Sequence, residues 1–267
     1  MRSTMRPTLA ILAACVLLCA NAYAQSARQT DVPRLANGKP NFSGVWQALT
    51  TANWNVLTHG ASAGPPEYGA LLATPPGYGI VDGDEIPYLP AAAEQQRRNY
   101  ENRFKDDPEL KCYMPGVPRA NYMPYPLQIF HSDGRLLIAY QFAGAARIVN
   151  LGKPQPSAID SWMGVSNARW DGDTLVVDVS GFNGQAWLDR AGNHASSALH
   201  VVERYRFAGP DAIDYSATLE DPKTFSRSWS MHFRLLRNPD PHAHLMEFKC
   251  VPFTEQLLYG EFYKRPK

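Results

Sequence analysis

Residues 199–220 read LHVVERYRFAGPDAIDYSATLE, and this stretch decides the fold. Leu199, Val201, Glu203, Tyr205 and Phe207 fall on one parity. His200, Val202, Arg204 and Arg206 fall on the other. Side chains that alternate at period two belong to a strand. Gly209-Pro210-Asp211 then supplies a turn, and Ile213–Glu220 completes a hairpin. The odd face is apolar except for Glu203. A carboxylate on such a face must be paired, hydrogen-bonded or protonated, because burying a bare charge is costly. Glu203 is therefore predicted to point inward. An arginine such as Arg119, Arg147 or Arg169 would make it structural. An oxygen facing a cavity would make it an acid–base group with a raised pKa.

The same reading extends in both directions. Upstream, Leu127–Ser132 and Arg135–Phe142 flank Asp133-Gly134. Trp162–Trp170 and Thr174–Ser180 flank Asp171-Gly172. Asp-Gly tolerates the positive φ of a tight turn, so each pair reads as a hairpin. Ala145–Leu151, Phe225–Arg237 and His244–Val251 are further strands, and Asn41–Ala48 is a first one. Helical period is absent from this part of the chain. Sequential strands joined by tight turns close into an up-and-down barrel or stack as two sheets. The expectation is all-β: an antiparallel meander closing into a calycin-like (lipocalin-like) barrel over residues 127–267, folding as one unit with 41–48. A β-sandwich is the alternative. Residues 25–126 are rich in Pro and Gly and read as an irregular N-terminal wrap. One short helix, Pro90–Phe104, interrupts the wrap. It has Pro at its first position and is polar nearly all round, so it is placed outside the core.

Residues 1–24 have the form of a cleavable secretory signal. Arg2 and Arg6 precede an apolar run, Leu9–Ala20, and Ala22-Tyr23-Ala24 presents small residues for cleavage before Gln25. The run is too short to span a bilayer comfortably. A periplasmic or secreted location is expected, with no integral membrane span. Loss of the signal changes the formal charge from +1 to −1 by removing two arginines. A near-neutral chain has no general attraction for nucleic acid. Cys112 and Cys250 are the only cysteines left, and in an oxidising compartment an even pair is expected to be bonded.

Chemistry is expected at the break between hairpins. Gly181–Ala198 (GFNGQAWLDRAGNHASSA) has weak structural signals, and loops of this length inside a compact domain are uncommon and often functional. Glu203, His194, Asp189, His200 and Arg204 are the candidate catalytic residues. Trp187, Arg190, Tyr205 and Trp170 are the candidate substrate-binding residues. The competing reading is a surface loop tied down by Trp187. Ser196 and Ser197 read as turn formers rather than nucleophiles. Strand alternation puts His200 and Glu203 on opposite faces, so with His194 they make a poor metal triad, and no metal or other cofactor is expected.

Several segments together resemble a family of secreted bacterial proteins. These are Asn41-Phe42-Ser43-Gly44-Val45-Trp46, the run Trp170–Asp178 (WDGDTLVVD), and Trp187-Leu188-Asp189 with Gly192, His194, Leu199-His200-Val201 and Glu203-Arg204. Asp221-Pro222 and Trp229 complete the pattern. The resemblance covers most of residues 40–250 and implies export and a β-rich fold. The chain departs from the pattern after His194, where Ala195 stands in place of an adjoining Ser.

The functional expectation is an exported enzyme, a cofactor-independent acid–base lyase, isomerase or cyclase. Its substrate would be a small hydrophobic or aromatic compound. The alternatives are a non-catalytic periplasmic ligand-binding protein and a metal-dependent hydrolase or oxygenase. In each case the loop 181–198 and the strand 199–207 are expected to form one wall of the main pocket.

Overall fold

The computed structural model describes residues 32–66 and 72–254. The expected signal at 1–24 lies outside them, as does the end of the 127–267 unit. Nine strands close into one barrel: β1 Gly44–Ala48, β2 Leu127–Ser132, β3 Arg135–Tyr140, β4 Ala146–Asn150, β5 Val165–Asp171, β6 Thr174–Ser180, β7 His200–Gly209, β8 Ala212–Glu220 and β9 Trp229–Arg237. All three expected hairpins form: Ser132 faces Arg135 across Asp133-Gly134, Asp171 faces Thr174 across Gly172-Asp173, and Gly209 faces Ala212 across Pro210-Asp211, so the second and third turns start one residue later than their sequence signals. Gly172 takes φ +58° in its turn, which glycine adopts without Cβ strain.

An odd ring of strands cannot alternate direction all the way round, so at least one neighbouring pair must be parallel. That pair is β4–β5, with Val149 beside Ser166 and Asn150 beside Asn167. Residues 151–164 carry the chain back to the starting end of β4 to make this possible. β1 closes the ring between β2 and β9.

The expected strand at His244–Val251 does not form. Both sides of β9 are already taken. β8 lies along one side, and on the other β1 pairs with Leu235–Arg237 while Val81 of the wrap bridges to Met231. No edge remains to recruit another strand. Residues 244–250 run instead across loops of the barrel. Phe248 packs on Tyr125 and Phe142, and Cys250 is bonded to Cys112. This disulfide fits an oxidising, exported location.

The expected helix is also shorter than its sequence pattern. Helix α1 spans Pro90–Glu101, Asn102 interrupts it, and Arg103–Asp106 forms a separate helical turn. No described helix is long and apolar enough to cross a membrane.

The barrel interior is filled by large side chains. Trp46, Tyr205, Tyr215, Met231, Ile129 and Leu136 are all at most 2% exposed. Phe42 covers the end where β7 finishes, stacked on Phe207 at 4.8 Å and on Trp170 at 6.0 Å. The loop 181–198 covers the opposite end, where β7 begins. The wrap packs over this loop. Gly192 has φ +81°, and a Cβ there would stand 2.6 Å from the Cβ of Asn99 on α1, so the helix sits directly on the glycine.

Candidate functional site

Glu203 points into the barrel and is fully buried. Arg147 on β4 closes a bidentate pair with it, donating to Oε1 at 3.1 Å and to Oε2 at short range. Oε1 also accepts from Asn121 Nδ2 at 2.9 Å, the Tyr205 hydroxyl at 3.0 Å and the Tyr215 hydroxyl at 2.8 Å. Arg147 Nε donates to Ser166 Oγ at 2.7 Å. Burial pushes the Tyr205 and Tyr215 hydroxyls well above their usual pKa, and the Glu203 charge adds to the effect. Four side chains thus donate to one carboxylate. The arrangement is that of a structural ion pair.

The other strand residues do not converge on Glu203. His200 and Arg204 face outward, as period two requires. His200 Nε2 lies 2.8 Å from Asp178 Oδ2, and Arg204 lies 3.6 Å from Asp171. Trp170 is at the far end of the barrel beside Phe42, with the Lys39 ammonium over its ring. The expected single wall made by loop and strand is therefore not built: Glu203, His200, Arg204, Tyr205 and Trp170 stand apart from the loop residues.

Within the loop, Asp189 is fully buried and acts as a staple. It accepts the Val56 N–H at 2.9 Å, the Asn193 N–H at 3.1 Å and Asn193 Nδ2 at 2.6 Å. Burial raises its pKa to about 6 against these hydrogen bonds. Ser196 is a turn former as expected, with its N–H and hydroxyl both donating to Asp221. Trp187 and His194 bridge each other across the loop and line a shallow groove with Trp162 and Tyr113. The His194 ring stacks on Tyr88 at 5.6 Å, and burial lowers its pKa.

Arg190 leaves this group and joins a second buried polar cluster, one that the sequence did not reveal. Glu109 accepts from Arg190 at 2.7 and 2.8 Å, from Arg119 at 2.6 Å and from Asn53 at 3.2 Å. Burial would raise the Glu109 carboxyl, but Arg190 and Arg119 outweigh it and hold the pKa at about 2. Arg119 also donates to Asn53 Oδ1 at 2.8 Å and to Asp107 at 3.3 Å. Burial raises Asp107 against the pull of Arg119.

Two members of this cluster, Asp107 and Arg190, line a cleft of about 200 Å³. Trp54, Tyr100, Phe104 and Leu110 give it apolar and aromatic surface, while Arg103, Asp107, Arg190 and His59 supply polar groups. The Arg190 guanidinium lies 4.2 Å from the Trp54 ring centroid. His59 Nδ1 is 2.7 Å from the Leu57 carbonyl, which can only accept, so Nδ1 carries the proton. Nε2 is then a bare lone pair, buried and without a hydrogen-bond partner among the described residues.

Trp54, His59 and Glu109 were missed in the sequence because they lie in the Pro- and Gly-rich stretch, where no period marks a face, and Arg103 was missed because it falls in the expected helix Pro90–Phe104, which is polar nearly all round and marks no face either. The one available signal was Arg119, a lone charge in the run Cys112–Tyr122 whose other residues are uncharged. Among the described residues no three His, Cys, Asp or Glu side chains converge to hold a metal ion. No protein-family model matches the chain, and no curated protein is found to be similar to it.

Proposed function

We propose that this is an exported protein that binds a small aromatic compound in the cleft beside Trp54. The observation that carries the reading is the make-up of the cleft. Aromatic walls and a few converging polar groups are what small-molecule sites present. The cleft adjoins Arg190 from the loop that sequence length and composition singled out. Its volume of about 200 Å³ is below the ~300–1,000 Å³ of sites for drug-sized ligands, which favours a single-ring compound. Export is supported by the form of residues 1–24 and fits the Cys112–Cys250 disulfide.

The test is calorimetric titration of the purified protein with a panel of single-ring aromatic compounds. Trp54→Ala is expected to weaken the best binder at least about tenfold, equivalent to about 1.4 kcal/mol. Unchanged affinity in a folded Trp54→Ala protein would remove the ligand from this cleft.

One observation favours a second reading, acid–base catalysis on the bound compound. The Nε2 of His59 belongs to an imidazole whose Nδ1 is engaged by the Leu57 carbonyl, and His59 is one of the residues that line the cleft. A general base needs a free lone pair within hydrogen-bond reach of the proton it takes. Mass spectrometry of the ligand recovered from the same titrations tests this reading. Quantitative recovery of unchanged ligand would leave binding alone.

A further inference from the structure

We infer that the ligand of this cleft is an aromatic monoanion, a carboxylate on a single ring, and that Arg103 is the residue that selects it. The inference rests on the binding reading above and adds the charge of the ligand.

Arg103 lies just past α1 and is half-buried at the edge of the cleft. Its guanidinium is held 3.9 Å from the Tyr100 ring centroid and 4.2 Å from that of Phe104. One nitrogen donates to the Tyr100 carbonyl at 2.6 Å. A cation near a helix C-terminus is favourable, which accounts for that bond. It does not account for the rest of the group. A guanidinium carries five N–H donors, so four remain.

The neighbouring arginines make the contrast. Arg119 faces Asp107 and Glu109, and Arg190 faces Glu109. Among the described residues Arg103 has no carboxylate partner, and its partial burial lowers its pKa. A cation withdrawn from water, stacked on two rings and left without a counter-ion is arranged to receive one. The planar fork of a guanidinium matches a carboxylate in two parallel hydrogen bonds.

The charge of the ligand follows from the same count. Among the described residues Arg103 is the one arginine at the cleft without an acid, and Asp107 also borders the space. A dianion such as a phosphate ester would bring a second negative charge towards Asp107 without a cation to meet it. The aromatic half of the ligand is placed by Trp54, Phe104 and Leu110.

The test uses isosteric pairs at low salt, benzoate with benzamide and 4-hydroxybenzoate with 4-hydroxybenzamide. Phenyl phosphate serves as the dianion. The full-length mature protein is expected to bind each acid at least tenfold more tightly than its amide, and more tightly than phenyl phosphate. In Arg103→Gln, checked for an unchanged thermal midpoint, the acid-to-amide ratio is expected to fall to about one. Equal binding of acid and amide by the unmutated protein would overturn this inference and leave the cleft reading standing. So would a preference that persists in Arg103→Gln, or tighter binding of phenyl phosphate. Failure of every ring compound to bind would overturn the cleft reading, and this inference with it.

Discussion

Two buried arginine–glutamate clusters lie in this protein, one inside the barrel and one at its end. Inside, Arg147 and Glu203 are one cation and one anion, and donors from β4, β7, β8 and the turn at Asn121 saturate the carboxylate. At the end, Arg119 and Arg190 stand against Asp107, Glu109 and Asp189. The acids outnumber the bases, and part of the cluster borders open space. The residue types are the same in both places. A closed ring of strands surrounds the first on all sides, so its polar atoms can only satisfy each other. The second lies at a junction between barrel and wrap, where no regular hydrogen-bond ladder fills the gaps. A buried charge on an apolar strand face is therefore a poor guide to a site, and a buried charge in an irregular junction is a better one.

The largest expected effect tests the interior cluster. Glu203→Gln leaves Arg147 buried without a counter-ion, and breaking such a pair costs roughly 3–5 kcal/mol. Urea unfolding should register that loss, while affinity in the Trp54 cleft should be unaltered in the folded fraction. A stable variant that no longer binds ligand would make Glu203 part of the site and break the contrast.

An intermediate effect belongs to the end cluster and is read through pH. Asp189 has a folded pKa of about 6, above its ordinary value of 3.8. Its contribution to stability is fully present below the ordinary value and is lost as pH rises through about 6. Lowering the pH from 6.5 to 4.5 should thus raise the unfolding free energy by about 2 kcal/mol through this group. Glu109 has the opposite sign: held at about 2, it loses stability only as pH falls below 4.5. Urea curves at several pH values should show the rise, and Asp189→Asn should flatten it. A rise of equal size in that variant would assign it to another acid.

The smallest expected effect comes from the outer face of β7. Arg204→Ala should change stability by no more than about 0.5 kcal/mol, as exposed substitutions do, and should leave cleft binding unchanged. A larger change in thermal unfolding would mean that the Arg204–Asp171 contact matters more than its exposure suggests.

The fold was largely legible and the candidate site largely was not, for one physical reason. Strands announce themselves through period two and tight turns. Glu203 could be placed inward from its neighbours alone, and Arg147 was among the partners the charge demanded. The bonding of Cys112 to Cys250 followed from parity and compartment. Closure between β1 and β9 left no local trace, so His244–Val251 was read as a strand although no edge remained for it. The parallel β4–β5 junction was equally hidden, since it depends on the number of strands in the whole ring. Of the loop's candidate site residues, Arg190 alone lies at the cleft with the polar cluster. Asp189 serves the wrap, and Trp187 and His194 turn to a separate groove. Trp54 meets Arg190 through a contact distant in sequence, which no window of residues displays, whereas His59 and Arg103 are held by near neighbours whose grouping around a cleft no local pattern marks.

The odd strand count constrains how such a barrel could change over generations. A duplicated or deleted hairpin adds or removes two strands, so the ring stays odd and one parallel neighbour pair is still needed. A single strand cannot come or go in this way. Its gain or loss would make the ring even, and the returning segment 151–164 could then be dispensed with. Descent with modification in this architecture should therefore proceed by whole hairpins, or by one strand together with that crossover, and length differences among homologous chains should fall into those two kinds.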